Sequence, residues 1–339
     1  MRLKPATGRV FQSLAPGVAG LSRFLTRRFP RIFMYHRFAD RTTSRALGLR
    51  EFEWQVRHLK SHFTLVTVAE LATRLRQGLK LDGLAAITVD DGYEDFFVYA
   101  YPVLRRHDVP ATVYVVTDFV DGQMWLWPDQ LAFILESASG TALPPGIAPG
   151  ESAYDLSDAD ARQAAWSAIA DACLPLHPAE RERWLTRFAS ALGVEIPKHP
   201  PSSYRPMTWD QLRLLVGAGI EIGSHTRTHP RLSVLAAHEL EDEIRGSKTR
   251  IETALGRPVE SFCYPHGMQA DITPAVCREV ERSGYSSGVV AYLDGANAFE
   301  LYQLGRMSVG RDMPRFVRSA SGFPLLSGLL SKWSAFGQA

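Results

Sequence analysis

Short apolar runs recur along the chain, and each ends in turn residues or leads into a segment with helical spacing. The runs are rich in β-branched and aromatic residues, which is typical of strands buried on both faces of a parallel sheet. We therefore predict about seven buried strands. They are RIFMYH (31–36), AAITVDD (85–91), ATVYVV (111–116), IEIGSH (220–225), SFCYPHG (261–267), YSSGVVA (285–291) and QLGRMSV (303–309).

Segments with helical spacing separate these runs, and the chain supplies capping residues for several of them. Thr208 and Thr273 stand at N-cap positions, and Gly219, Gly256 and Gly284 stand at C-cap positions. This alternation predicts an α/β fold. An open doubly wound sheet is one form of it, but polar residues at many strand ends favour a closed or nearly closed barrel. The helical segments are 52–63, 96–107, 209–219, 236–256 and 274–284.

One long block, residues 126–206, interrupts the alternation between the third and fourth strands. It contains a Gly/Pro-rich stretch and then two helical patterns, 158–174 and 179–193. We interpret the block as a helical insertion over the barrel mouth. Among its tryptophans, Trp127 is a candidate for contact with a substrate, although most buried tryptophans are core residues.

The composition is that of an ordinary globular protein. Of 339 residues, 45% are hydrophobic and 22% are charged, and the formal net charge is +2, so no global charge argument supports nucleic-acid binding. The three cysteines, Cys173, Cys263 and Cys277, are too few and too scattered for a disulfide framework. They favour a reducing compartment, and we expect a cytoplasmic protein.

The first 30 residues form a basic leader. Residues 1–39 contain eight basic residues and no Asp or Glu, and neither a signal-peptide pattern nor a membrane-spanning run is visible. Residues 10–29 mix apolar side chains with arginines. One interpretation is a poorly ordered leader, and the other is a peripheral contact with the anionic surface of the inner membrane. The C-terminal tail, 311–339, contains an apolar stretch that we expect to dock on the domain or on lipid.

Titratable side chains stand at the carboxyl ends of four predicted strands. His36 ends the first strand, Asp90 and Asp91 end the second, His225 ends the fourth and His266 follows the fifth. Barrel enzymes build their active sites at that face. Each of these residues alone has a structural explanation, since DDG is typical of turns and a strand-end histidine is often hydrogen-bonded. Their combination favours one chemical site.

The spacing of the histidines indicates a metal. His225 and His229 are four residues apart, so on a helical turn both imidazoles point the same way and can share one ion. A carboxylate then completes three ligands and leaves positions open, which is typical of hydrolytic sites. Two adjacent aspartates can divide the work, one binding the metal and the other taking the proton of the attacking water.

These residues resemble the motifs of the polysaccharide deacetylase family, also called the NodB-homology or carbohydrate esterase 4 family. Thr88-Val89-Asp90-Asp91-Gly92 matches its TFDDG motif, and His225-Thr226-Arg227-Thr228-His229 matches its H-S/T-x-x-H motif. The resemblance covers residues 31–310. It implies a distorted (β/α)7 barrel, a divalent metal, usually zinc, and removal of acetyl groups from N-acetylated sugars. It also implies that Asp90 is the general base and that Asp91, His225 and His229 bind the metal.

The third motif departs from the family. The family has R-x-P-Y, and this chain has Cys263-Tyr264-Pro265-His266. The resemblance implies that the backbone N–H of His266 serves the oxyanion, with Tyr264 and Pro265 close to the substrate. Cys263 replaces the arginine that tethers the base, so the group that orients Asp90 stays open. Arg306 is a candidate for positioning a substrate group or a carboxylate.

The general acid also departs from the family pattern. The family takes a histidine from near the C-terminus, but no histidine follows His266 here. Tyr35-His36-Arg37 resembles the circularly permuted branch of the poly-N-acetylglucosamine deacetylases, in which an N-terminal Tyr-His supplies the acid. His36 is therefore the candidate acid, and His266 is its rival.

The leading hypothesis is a metal-dependent N-deacetylase acting on an N-acetylhexosamine unit of a glycan or of a lipid-linked glycan precursor. Zinc suits the ligands, although cobalt, nickel or iron would also bind. One alternative is a deformylase or another amide hydrolase on the same fold. Another is a catalytically silent glycan-binding module.

Overall fold

A computed structural model describes residues 16–326 except 44, 144–145, 147–153 and 295–296. Its centre is a parallel sheet in which all seven predicted strands form. Nearly every residue of these strands is buried, because helices cover the outer face and side chains fill the inner face. The strands are β1 (Arg31–Tyr35), β2 (Leu84–Val89), β3 (Thr112–Val115), β4 (Glu221–Ser224), β5 (Ser261–Cys263), β6 (Ser287–Val290) and β7, which has two halves, Leu304–Gly305 and Met307–Ser308.

The sheet returns to its starting point through the divided strand β7. The first half of β7 pairs with β6 through Val289↔Leu304, and the second half pairs with β1 through Phe33↔Met307. Arg306 alone separates the two halves. The predicted (β/α)7 barrel is therefore confirmed, and its distortion is greatest at this one-residue break.

The helices surround the barrel, and the predicted caps form. The side chains of Thr208 and Thr273 each accept a backbone N–H at 3.2 Å, and Gly256 ends its helix with φ 65°. The helices are α1 (Pro16–Leu25), α2 (Leu49–His62), α3 (Val68–Arg76), α4 (Tyr101–Arg106), α5 (Thr117–Val120), α6 (Trp127–Ser137), α7 (Ala159–Cys173), α8 (Pro178–Ala191), α9 (Trp209–Gly217), α10 (Ala237–Glu241), α11 (Ser247–Leu255), α12 (Pro274–Arg282) and α13 (Met313–Ala320). π-Helical turns precede α4 (Phe96–Ala100) and α11 (Asp242–Gly246).

The block between β3 and β4 is helical, as the sequence predicted, and it has a core of its own. Helices α6, α7 and α8 pack together through buried side chains such as Leu131, Ile169 and Phe188. Backbone hydrogen bonds join the end of the block to the barrel, where Met207 N–H donates to the Gly92 carbonyl at 2.9 Å. The insertion is thus fixed beside the segment that follows β2.

The first and last described helices, α1 and α13, contact each other beside the amino end of β1. Helix α1 leads directly into β1, and α13 packs Phe316 against Phe33 of β1 with ring centroids 5.7 Å apart. Residues 1–15 of the predicted leader and 327–339 of the predicted tail lie outside the described residues. Among the described helices, none is both long enough and apolar enough to cross a membrane.

Candidate active site

A cavity of about 410 Å³ opens at the carboxyl ends of the barrel strands, a size within the usual range of ligand pockets. Most of the candidates from the sequence lie on its wall. The insertion and the segment after β1 form the rest of the wall. The candidates on the wall are His36, Asp90, Asp91, His225, His229, Tyr264, His266 and Arg306.

Asp91, His225 and His229 form a three-ligand group. The Oδ1 atom of Asp91 lies 3.6 Å from Nε2 of each histidine, and their ligand atoms all lie within 4.8 Å of one another. The Nδ1 atom of His225 donates to the Cys263 carbonyl at 2.8 Å. That bond leaves the lone pair on Nε2, which is the tautomer a metal ligand needs.

The charge states of this group fit a cation. Burial, and after it the neighbouring Asp90 charge, raises the pKa of Asp91 well above its ordinary value. Burial lowers the pKa of His225 to about 4 and lowers the pKa of His229 even more strongly. Two neutral imidazoles beside a carboxyl group that is costly to ionise form a donor set that a divalent metal stabilises. The residues therefore fit a divalent metal.

The backbone around the site is strained. Among the described residues, five other than glycine have a positive φ, and four of them are Asp91 (74°), Thr226 (70°), His229 (59°) and His266 (61°). Such conformations are unfavourable for most side chains and concentrate at functional sites. Residues 225–229 are not helical, so the helical turn that we inferred from the i, i+4 spacing is wrong. Left-handed residues bring the two imidazoles together instead, with ring centroids 4.8 Å apart.

Asp90 points to a different partner, Arg306. Two parallel hydrogen bonds join the guanidinium to the carboxylate, at 2.7 Å and 2.8 Å. Burial alone would raise the pKa of Asp90, but the Arg306 charge and these hydrogen bonds lower it well below its ordinary value. Asp90 is therefore ionised beside the group that Asp91, His225 and His229 form.

Arg306 uses all five of its N–H donors in this arrangement. Two of them bind Asp90. The other three donate to the Val290 carbonyl, the Thr88 hydroxyl and the Cys263 sulfur, each at 3.1 Å. Of the two roles that we predicted for Arg306, the structure thus places it on a carboxylate. The arginine missing from the third motif is replaced by one from β7, and Cys263 contacts it.

The two candidate acids lie on different sides of the cavity. The Nε2 atom of His36 is 3.7 Å from Oδ2 of Asp90, and 45% of the His36 side chain is exposed. Desolvation lowers the pKa of His36, and the Asp90 charge opposes that shift. His266 stacks edge-on against His229 with centroids 4.9 Å apart. Burial and then the Arg181 charge lower the pKa of His266 to about 3.

Three candidates for substrate contact are placed mainly in packing roles. The hydroxyl of Tyr264 donates to the Tyr302 carbonyl at 2.8 Å, so the polar end of this side chain points away from the cavity. Pro265 and Trp127 are absent from the part of the cavity wall that the described residues form. Trp127 packs in the insertion core.

A polar network on the cavity wall was not predicted. Tyr93 donates to Asp129 at 2.5 Å, and Arg37 donates to Asp95 at 2.6 Å while its guanidinium lies 3.9 Å from the Tyr93 ring centroid. Burial raises the pKa of Asp129 to about 6. The sequence signal for this network was weak, because Asp129 lies in the insertion. Trp166, also from the insertion, lines the cavity.

Comparisons with known proteins find similarity over the segments that carry this site. The sequence model of the family "Polysaccharide deacetylase" matches residues 80–141 and 184–287, which include β2 to β5 and their motifs. The putative polysaccharide deacetylase YxkH of Bacillus subtilis (strain 168) is 29% identical over 102 residues, 30% of this chain and 36% of that protein. The matched part of the chain thus spans about a third of the length of this relative.

Solved structures share the fold. The deacetylase PplD of Streptococcus pyogenes, in complex with acetate, has a TM-score of 0.56 at 16% identity, covering 86% of this chain and 97% of that one. IcaB from Ammonifex degensii has a TM-score of 0.56 at 17% identity, covering 87% and 97%. The family model and the matched motifs show that the chain belongs to the polysaccharide deacetylase family.

Proposed function

We propose that this protein is a divalent-metal-dependent N-deacetylase that removes the acetyl group from an N-acetylhexosamine unit. One observation carries the proposal: an ionised Asp90, held by Arg306, lies beside a metal-ligand group formed by Asp91 and two neutral histidines. That pairing of a base with an open three-ligand site suits amide hydrolysis by water. The names of the similar proteins, which include deacetylases, agree with it.

Asp90 is proposed as the general base. Its carboxylate stays ionised because of Arg306, so it can accept a proton over the whole neutral range. A divalent cation held by Asp91, His225 and His229 supplies Lewis acidity for the water and the amide carbonyl. Zinc is the proposed metal, because two imidazoles and one carboxylate are typical of catalytic zinc sites.

His36 is proposed as the acid that protonates the leaving amine. It is exposed to the cavity and lies beside the Asp90 carboxylate, whose charge opposes the lowering of the His36 pKa by desolvation. The pKa of His266 is about 3, so its imidazole is neutral at physiological pH and cannot donate a proton as an imidazolium ion. This assignment agrees with the resemblance to the permuted branch.

The backbone N–H of His266 is proposed to stabilise the tetrahedral oxyanion. His266 has a left-handed backbone conformation. Its backbone N–H donates no hydrogen bond within the described part of the chain. A free, fixed backbone donor beside the metal ligands is what an oxyanion requires. The altered side chain in the third motif is then compatible with activity.

The shape of the cavity favours a terminal sugar unit as the substrate. Arg45, on the segment after β1, reaches across the rim to the insertion, where Nη1 lies 3.3 Å from both Glu136 and the Tyr204 hydroxyl. Elsewhere, His177 of the insertion pairs with Glu239 at 3.1 Å. These contacts tie the insertion to the barrel at the rim and at a second place. We infer that a chain end fits this pocket better than the middle of a polymer.

Isosteric substitutions of the two aspartates should separate their roles. Asp91→Asn keeps a side chain that tolerates the left-handed backbone but removes the ligand charge, so bound metal should be lost. Asp90→Asn should keep the metal and lower acetate release by about 10³-fold, since the base is gone. Elemental analysis and acetate assays on N-acetylglucosamine oligomers test both.

Asp108→Asn is the matched control for these variants, because Asp108 is also left-handed (φ 49°) but is exposed and away from the cavity. It should behave as the wild type. Release of formate in place of acetate would favour the deformylase alternative. A wild type without metal after reloading with zinc would contradict the proposed site.

Arg306→Lys should shift the pH profile. A lysine cannot make two parallel bonds to Asp90, so the pKa of the base rises from its lowered value. Because the base acts ionised, the acidic limb of the rate profile should move to higher pH, with about 10²-fold lower kcat and unchanged metal content. An unmoved acidic limb would show that Arg306 does not set the pKa of the base.

Two histidine variants should distinguish the candidate acids. His36→Ala should lower kcat by about 10²-fold or more with full metal content. His266→Asn keeps the backbone N–H and tolerates a positive φ, so its rate should stay within about tenfold of the wild type. The opposite order of rates would identify His266 as the acid.

Arg45→Ala should relax the preference for chain ends. The wild type should deacetylate mainly a terminal unit of a pentasaccharide, and the variant should raise the share of internal products by about tenfold. Arg41→Ala is the control, because Arg41 is almost fully exposed on the same segment. Mass spectrometry locates the deacetylated units, and mainly internal deacetylation by the wild type would contradict the inference.

A further inference from the structure

Helix α1 presents its apolar side chains to solvent. Val18, Leu21, Phe24 and Leu25 are between 46% and 61% exposed. The face that packs against the rest of the protein carries the small residues Ala19 and Ser22, which are buried. At about 100° per residue the centres of the two faces lie about 120° apart around the helix. This is the reverse of the usual surface helix, in which the large apolar side chains face the core.

Other exposed apolar residues lie at the same end of the barrel. Leu79 and Phe299 are exposed, and both segments are tied to α1 and the turn after it. The N–H of Gly83 donates to the Arg27 carbonyl at 2.9 Å, and the rings of Phe29 and Phe299 are 5.2 Å apart. Six of the ten large apolar side chains that are exposed in the described part of the chain thus gather here.

Basic residues accompany this apolar surface. Arg27, Arg28 and Lys80 are exposed at this end, and Arg28 has no carboxylate partner among the residues that the structure describes. The acidic groups here are Asp82, which pairs with Arg27 at 3.3 Å, and Glu300. The sequence before α1 adds Arg2, Lys4 and Arg9 with no acidic residue.

We propose that this end of the barrel docks on an anionic lipid bilayer. An amphipathic helix with exposed Leu and Phe beside arginines buries its apolar face at the headgroup boundary, and anionic lipids attract the basic residues. The excess of positive charge on this face favours an anionic lipid surface over a neutral one. The proposal is independent of the deacetylase activity.

The docked orientation turns the active site away from the lipid. Helix α1 precedes the amino end of β1, and His36 follows its carboxyl end. Five strand residues span about 17 Å, so the whole barrel height separates the bilayer from the cavity. Substrates therefore enter from the aqueous side.

Vesicle flotation with the full chain tests the proposal. The wild type should float with vesicles of phosphatidylglycerol and phosphatidylcholine, bind at least tenfold more weakly to pure phosphatidylcholine, and lose binding at high salt. Leu21→Glu combined with Phe24→Glu should lower binding at least tenfold. The control Leu214→Glu, at a side chain that is 63% exposed on α9, should bind like the wild type.

Several outcomes would overturn the proposal. One is a wild type that does not float with anionic vesicles, and another is a double variant that floats equally well. If a chain ending at residue 326 floated and the full chain did not, the C-terminal segment, and not lipid, would cover the apolar face of α1. A concentration-dependent dimer that the double variant abolished would identify a second copy as the occupant. Circular dichroism of each variant establishes that it is folded.

Discussion

The buried ion pair between Arg306 and Asp90 is the constraint on which the rest of the site depends. It joins the break in the closing strand β7 to the carboxyl end of β2, so the residue that interrupts the closing strand also orients the proposed base. Removing one member of a buried pair typically costs about 3–5 kcal/mol, because the other charge is left without compensation. Closure of the barrel at β7 therefore brings a compensating charge to the carboxylate of Asp90.

The pair also explains how two adjacent aspartates can coexist in a buried site. Asp90 and Asp91 repel each other, and burial adds to the cost of each charge. Arg306 compensates one charge, and the positive φ at Asp91 turns the second carboxylate toward the histidines. A proton, or a bound cation in its place, would compensate that second charge. The same repulsion would then favour the binding of a divalent metal at the proposed site.

Local pattern predicted the barrel well because each strand is a short apolar run with its own turn residues. It also predicted the group of Asp91, His225 and His229, which the structure brings together and whose motifs are contiguous in sequence. It could not assign Arg306 to Asp90, since 216 residues separate them and only closure of the barrel brings them together. The conformation of residues 225–229 was predicted wrongly. The spacing of two residues tells which way their side chains point only when the backbone conformation is known, and here left-handed residues take the place of a helical turn. Trp127 and Trp166 could not be distinguished, because the packing of the insertion decides which one reaches the cavity.

The parallel barrel separates two surfaces that would interfere with each other. Carboxyl ends of strands carry the buried, charged chemistry, where water access and metal ligands are controlled by loops and the insertion. Amino ends carry α1, with large apolar side chains exposed and basic residues around them. An apolar, lipid-binding face beside the cavity would compete with polar glycans for the same surface. All seven strands point the same way, so the two faces lie a full barrel height apart. A substitution on one face therefore need not disturb the other face.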